Sequence, residues 1–429
     1  FSVAEIAFQR GSHMNYFRAF MVCLSAVLFL LPSLASAAQM EIHPYLSVSE
    51  QYDDNVNLTP DNEEEDWVTT IAPGISLSYA TRSLDASVDY SLSYIFYKNN
   101  SDDNQDKFKD VQRANAQLLF FPGRPFTLTI SENITREAID ERDVFSPGNQ
   151  RINKTTVYST RVSPQYSWRL TPTFSLVLGY DYSRTDYTEG EADDGQDHTG
   201  RVSLVKILSA TLESSLNYSY KRHLADVDAD DYDEQNISLG LTYQPSSRTS
   251  LALQGGLSSV DYNDGSDSTE DPTWSVDLSH RLTNVLSTNL SFSQNFSTSA
   301  SLGLERSRQA AWGLTWERQH LTVAGELFWR QSDFLQENRQ DDAYGTRLSL
   351  NQQFSRYFSG SIDGDYERAE FDDPGSDEQV DRYSLGGSLS YSISRFVTSL
   401  AYRHRINQSD VDSNDYTNNT VTLTASVRF

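Results

Sequence analysis

The sequence predicts an all-β fold: a closed, antiparallel, up-and-down transmembrane β-barrel of about 18–20 strands, with short periplasmic turns and long acidic extracellular loops. Three observations predict it. Apolar and polar residues alternate along segments of roughly 10–14 residues, the pattern of a two-faced strand. Polar, mostly acidic clusters recur about every 40 residues, a period that marks a repeated supersecondary unit. A compact turn lies about halfway between successive clusters.

The alternation is clearest in Leu84/Ala86/Val88/Tyr90/Leu92/Tyr94/Phe96 against Asp85/Ser87/Asp89/Ser91/Ser93. It returns in Phe174/Leu176/Leu178/Tyr180/Tyr182, in Leu212/Leu216/Tyr218/Tyr220 and in Phe358/Ile362/Tyr366, each opposed by Ser, Asn, Asp or Glu. Acidic clusters such as Asp61–Asp66, Glu189–Asp194 and Asp226–Asp231 are read as outer loops. Phe121–Pro125, Leu170–Pro172, Gln244–Arg248 and Leu282–Asn284 are read as inner turns. A β-propeller shares the period but packs four short strands into it, whereas this chain has room for two long ones. A soluble sandwich needs two apolar faces, and the second face here carries Asp, Glu, Arg, Ser and Asn.

Composition agrees once alternation is taken into account. The 429 residues carry a net charge of −26 and are only 38% hydrophobic, with mean hydropathy −0.55. A barrel strand needs only alternate residues to be apolar. The 24 Tyr, 21 Phe and 6 Trp argue against disorder, which is aromatic-poor. Such acidity excludes nucleic acid as a partner, because phosphate is repelled. Aromatics gather beside the turns (Phe121, Phe126, Trp168, Phe174, Tyr243, Phe354, Phe396) and below the acidic loops (Phe96, Tyr180, Tyr218, Tyr220, Tyr366). Two belts at opposite strand ends are what two membrane interfaces select.

Three segments are expected. Residues 1–13 are an upstream extension, with Gly11-Ser12-His13-Met14 resembling a cloning-vector scar. Residues 14–37 read as a signal peptide: Arg18, the apolar run 19–31 and an A-x-A site at Ala35-Ser36-Ala37. Residues 38–429 form a single barrel domain. The one cysteine, Cys23, falls within the signal, and the exported part is cysteine-free, as suits an oxidising envelope. The expected location is the bacterial outer membrane.

The face opposite the apolar one lines the lumen. Its candidate pore-lining residues are Glu326, Arg330, Arg347, Asp363, Asp365, Glu367, Arg382, Arg403 and Arg405. Two readings stand: a transverse field that orders permeants, or charges that merely satisfy one another on a wet wall. Asp226-x-Asp228-x-Asp230 and Asp410-x-Asp412-x-Asn414 begin like calcium loops, but Asp231 and Asp415 stand where glycine is needed. His223 beside Asp226 and Asp228 is the one acid–base arrangement that could be sought in the loops. No catalytic residue, metal site or cofactor is expected, and the chain is not read as an enzyme.

The final strand alternates Val421, Leu423, Ala425, Val427 and Phe429 with Thr, Ser and Arg. A terminal Phe closing such a segment resembles the assembly signal of outer-membrane barrels. Tyr52-Asp53-Asp54-Asn55-Val56-Asn57-Leu58-Thr59-Pro60, followed by Ile71-Ala72-Pro73-Gly74-Ile75-Ser76-Leu77, resembles the porin-like outer-membrane β-barrel family associated with bacterial exopolysaccharide and PEP-CTERM exosortase systems. The resemblance implies a porin-like channel, with exopolysaccharide export as one use and no residue-level roles. The alternative is a structural or adhesive surface protein whose acidic loops bind partners or divalent cations. Expected partners are outer-membrane lipid and lipopolysaccharide, the barrel assembly machinery through the last strand, polysaccharide export components, and further copies of the chain in a homo-oligomer.

Overall fold

Within a bilayer no water is available to satisfy a peptide group, so a sheet that crosses it must pair every strand on both sides. The computed structural model does this. It describes residues 39–140, 149–188, 194–226, 231–263, 268–299, 303–335, 339–372 and 377–429. Residues 1–38, where the extension and signal peptide are expected, lie outside the described residues, as do the centres of several acidic loops.

The first strands are β1 (Gln39–Asp53), β2 (Asp66–Ala80), β3 (Leu84–Leu92), β4 (Tyr94–Tyr97), β5 (Gln112–Phe120), β6 (Phe126–Ala138) and β7 (Lys154–Thr171). Next come β8 (Phe174–Tyr187), β9 (Gly195–Ser209), β10 (Leu212–Ala225), β11 (Tyr232–Ser246), β12 (Thr249–Tyr262), β13 (Thr269–Arg281) and β14 (Leu286–Thr298). The last are β15 (Leu304–Arg318), β16 (Leu321–Phe334), β17 (Arg339–Gln353), β18 (Phe358–Asp372), β19 (Glu378–Ile393), β20 (Phe396–Ser409) and β21 (Tyr416–Arg428). Strands β3 and β4 are two halves of one barrel strand interrupted at Ser93, and both pair with β2. The barrel therefore has 20 strands, all antiparallel to their neighbours. It closes where β1 meets β21, from Tyr45 opposite Arg428 to Asp53 opposite Thr420.

Directly opposed residues share a face, so the register sorts the whole wall. Leu327, Leu348, Ile362, Leu385, Leu400 and Leu423 fall on one face and are all exposed, which is the lipid-facing band. Asp363, Gly386 and Arg403 fall on the other, together with Glu326, Arg347 and Asp365. Both aromatic belts stand on the lipid face, with Trp168, Tyr243 and Phe396 near the turns and Tyr180, Tyr218 and Tyr402 near the loops. Small apolar clusters lie at the extracellular end of the lumen: Val68, Ile95 and Tyr97 with Val56, and Ala343, Ala369, Phe371 and Val380.

Of the two sequence stretches of the family resemblance, the first lies at the closure. Asn418 Nδ2 donates to Asp53 Oδ1 at 2.6 Å, and the Asn55 N–H donates to the same oxygen at 3.1 Å. Asn419 gives both its backbone N–H and its Nδ2 to Asp54, at 2.6 and 2.7 Å. Asn55 Nδ2 reaches Thr417 O at 3.0 Å. The Asp-Asp-Asn stretch thus fastens the start of the first loop to β21 above the last ladder bonds. Gly74 serves one strand further on. The Tyr45 ring lies flat across it, and its hydroxyl donates to Asp89 on β3 at 2.8 Å. A Cβ at Gly74 would fall 2.3 Å from Tyr45 Cζ. Gly74→Val should force that ring off the wall and cost about 1–3 kcal/mol. Urea unfolding in vesicles, followed by tryptophan fluorescence, measures it; an unchanged midpoint would show that the stacked ring contributes nothing.

Candidate channel and its mouth

The late wall, β16 to β20, carries the nine charged residues of the sequence reading on the lumen register. They form ion pairs across the strands. Arg347 Nη1 meets Glu326 Oε1 at 2.8 Å, and its guanidinium stacks 4.1 Å from the Phe328 ring centre. Glu367 takes Arg382 at 2.9 Å and Arg330 at 3.7 Å. Arg403 Nη2 meets Asp363 Oδ2 at 2.7 Å. Arg405, buried, donates to Asn418 Oδ1 at 3.4 Å, next to the closure. Asp365 faces Arg347 and Ser384 across the ladder, and no ion pair of 4 Å or less joins it to a neighbour among the described residues. The Arg347–Glu326 pair, open to water, is worth about 0–1 kcal/mol, so it contributes little to holding the wall.

The Asp363–Arg403 pair passes over an entire strand, because β19 lies between its partners. Gly386 makes this possible: a Cβ there would fall 2.8 Å from Arg403 Nη2 and 2.9 Å from Asp363 Oδ2. Sequence reasoning recognised the charges but not this crossing point, whose signal is the Gly386-Gly387 pair inside an otherwise alternating strand.

The mouth is the larger finding. Asp140, two residues past the end of β6, accepts both terminal nitrogens of Arg339 at 2.8 and 3.0 Å. Arg339 opens β17 and is separated from β6 by β7 to β16 one way and by β18, the closure and β5 the other. The pair therefore spans the opening. Arg339 is 5% exposed. Its remaining donors reach Asp341 at 2.8 Å, and its guanidinium lies between the Phe334 and Phe371 rings. At the base of the same β6–β7 hairpin, Thr155 and Thr156 point to opposite faces, yet both are fully buried. The hairpin end is therefore enclosed on both sides.

Loops around it interlock. Asn149 Nδ2 donates to Val56 O at 2.7 Å, Gln105 Nε2 to Gln150 O at 2.8 Å, and Arg151 pairs with Asp103 at 2.6 Å. Asp66 accepts from Asn99 and Asn100 at 2.9–3.1 Å, which ties the second loop to the first. The first three outer loops thus form one hydrogen-bonded body over the lumen. Arg339 went unrecognised in the sequence because it follows an acidic loop and looks like an ordinary solvated charge.

The remaining candidates are placed as follows. His223 is directed at Asp197 (2.8 Å) and stacks on Tyr232; Asp226 does not pair with it, and Asp228 lies outside the described residues. Asp410 accepts the Gln379 N–H of β19 at 2.9 Å and Asp415 the Ser409 N–H at 2.6 Å, so this calcium-like stretch spends one carboxylate on a neighbouring strand and one on its own loop. The stretch Asp226–Asp230 lies largely outside the described residues. Among the described residues no group of three or more His, Cys, Asp or Glu converges as a metal site.

Comparison with known proteins agrees with this architecture. Residues 341–429 match the family described as "Putative beta-barrel porin 2", and residues 141–325 match "Putative outer membrane beta-barrel porin, MtrB/PioB". The chain is a β-barrel of the bacterial outer membrane, and both family matches are to porin-type barrels. Each match spans less than half of it, so the assignment is to this class rather than to one of the two families. No curated protein matches. Among solved structures, the ferric enterobactin receptor PfeA of Pseudomonas aeruginosa, in complex with BCV-L6, is 11% identical, with TM-score 0.52 over 91% of this chain and 81% of that one. The FrpB iron transporter of Neisseria meningitidis is 10% identical, with TM-score 0.48 over 90% and 81%. Pseudomonas aeruginosa OpdK, solved with vanillate, is 10% identical, with TM-score 0.42 over 91% and 99%. At these identities the likeness is one of fold.

Arg339→Ala leaves Asp140 and Asp341 facing each other without their common cation. It should destabilise the folded barrel by about 3 kcal/mol, while Arg339→Ala combined with Asp140→Ala should cost less than the sum of the two single changes. Denaturant titration of the four proteins tests this, and additive effects would contradict a direct coupling.

Proposed function

We propose that the chain forms a passive aqueous pore for small hydrated solutes, narrowed at its extracellular mouth by its own loops. The observation that carries this reading is the Asp140–Arg339 span across a 20-strand barrel. At this strand number wall side chains do not fill the interior, so access is set by what crosses the opening. The nine charged residues of the late wall would then act on whatever passes, with Arg347 and Glu326 the most exposed pair. A wall that presents both signs close together orders dipolar permeants rather than excluding one sign.

Exopolysaccharide export, the finer use implied by the family resemblance, needs an unobstructed path for a hydrated polymer. The interlocked loops favour small solutes over it. Insertion would use the alternating last strand, with Val421, Leu423, Ala425 and Val427 facing lipid and Phe429 at the end. Its backbone N–H is already held by Pro44 O at 2.8 Å. No catalytic role is proposed.

Planar-bilayer recording of the purified protein is the test. Discrete conductance steps are expected, with larger steps from Arg339→Ala because its mouth is no longer tied across. No conductance from protein that keeps the heat-modifiable gel mobility of a folded barrel would overturn the pore and leave a surface-binding role.

A further inference from the structure

Cations and carboxylates are distributed very differently at the two ends of the barrel. Along the middle and outer levels of the wall many arginines are ion-paired: Arg184 to Asp186, Arg306 to Asp271 and Asp333, Arg339 to Asp140, Arg347 to Glu326, Arg382 to Glu367 and Arg403 to Asp363. At the end of the short turns every hairpin contributes one cation. Arg82, Arg124, Arg248, Arg356 and Arg395 sit in the turns themselves. Lys206 and Arg318 stand on the lipid-facing register, opposite Phe174 and Leu321. Arg169, Arg281 and Arg428 complete the circle on the lumen register, the last at the closure. All ten are exposed. Among the described residues none of them forms an ion pair. Glu41, Asp85, Glu213 and Glu317 are at the same end, and the cations outnumber them.

We infer that the seven of these cations that lie in the turns or on the lipid-facing register bind the phosphates of anionic phospholipids in the periplasmic leaflet. Three features favour lipid over any single partner. The seven are spread round the circumference, at seven of the nine inner hairpins, as an annulus of lipid is and a docked protein is not. They lie at the level of the inner aromatic belt, where headgroups begin. Some rest on that belt, with Lys206 Nζ 5.8 Å from the Phe174 ring centre and Arg356 5.3 Å from that of Tyr357. Guanidinium matches phosphate through paired N–H donors, and anionic membrane surfaces attract such basic clusters. The acidic outer loops would be repelled by the same lipids, so the ring also fixes which end faces inward.

The test is fluorescence quenching of the reconstituted protein by brominated phosphatidylglycerol against brominated phosphatidylcholine, which reads the relative affinity of the two lipids for the barrel surface. The native chain should prefer phosphatidylglycerol by about tenfold, and high salt should collapse that preference. The variant with Arg82, Arg124, Arg248, Arg356 and Arg395 all changed to Gln should show no preference, while the fivefold Lys variant should keep most of it. Heat-modifiable mobility in phosphatidylcholine verifies that each variant is folded. If the Gln variant does not fold, the salt response of the native chain and the Lys variant decide. An equal affinity of the native chain for both lipids would overturn the inference. So would an unchanged preference in the Gln variant, or abolition of the preference by inorganic phosphate at matched ionic strength, which would make the ring a free-anion site.

Discussion

The ladder between β1 and β21 is the contact on which the rest of the structure depends. Every other strand has its sequence neighbours on either side, held by short turns or loops. These two lie at opposite ends of the chain, and until they pair, two edges of N–H and C=O groups face lipid. Each unsatisfied group there costs several kcal/mol, more than any side-chain contact in the molecule returns. The polar bonds above the ladder, Asp53 and Asp54 to Asn418 and Asn419, tie the seam to the first loop. That loop in turn supports the mouth through Val56, whose carbonyl accepts from Asn149, and Asn57, which accepts from Arg151.

Closure also explains how so acidic and polar a chain lives in a membrane. Once the sheet is a cylinder, one face needs only Leu, Ile, Val and aromatic residues at alternate positions. The other face can carry charge. The charges divide by level rather than by strand: carboxylates gather in outer loops and pair with arginines along the outer wall, while unpaired cations circle the inner rim. Glycine marks the places where side chains must lie flat against the wall, Gly74 under Tyr45 and Gly386 under the Asp363–Arg403 pair.

Much of this was legible in the sequence because its signals are local. Alternation from Leu84 to Phe96, turns at Phe121–Pro125, and acidic clusters at loop positions need only neighbours along the chain to be recognised. The interruption at Ser93 was not legible, since alternation runs through it; only the departure of β4 from β5, with the second loop in between, reveals it. The mouth was hidden for another reason. Asp140 and Arg339 lie 199 residues apart, each beside an acidic loop, and composition cannot show that they meet across the opening. The Asp53-Asp54-Asn55 stretch was visible as a motif, but its meaning depended on partners in the final strand. The basic rim was readable turn by turn and acquired meaning only when the turns were seen to form a circle.

Closure can be tested by joining the two ends of the sheet. Ser47 and Ser426 are directly opposed on the lumen face of β1 and β21. Opposed antiparallel residues have Cα atoms about 4.5–5.5 Å apart, within the span of a disulfide. With Ser47→Cys and Ser426→Cys in residues 38–429, which contain no other cysteine, oxidation of the folded protein should join nearly the whole chain into one loop. That loop shifts gel mobility after unfolding, and reduction reverses the shift. Folded, heat-modifiable protein that fails to form this bond would contradict a barrel closed between its first and last strands.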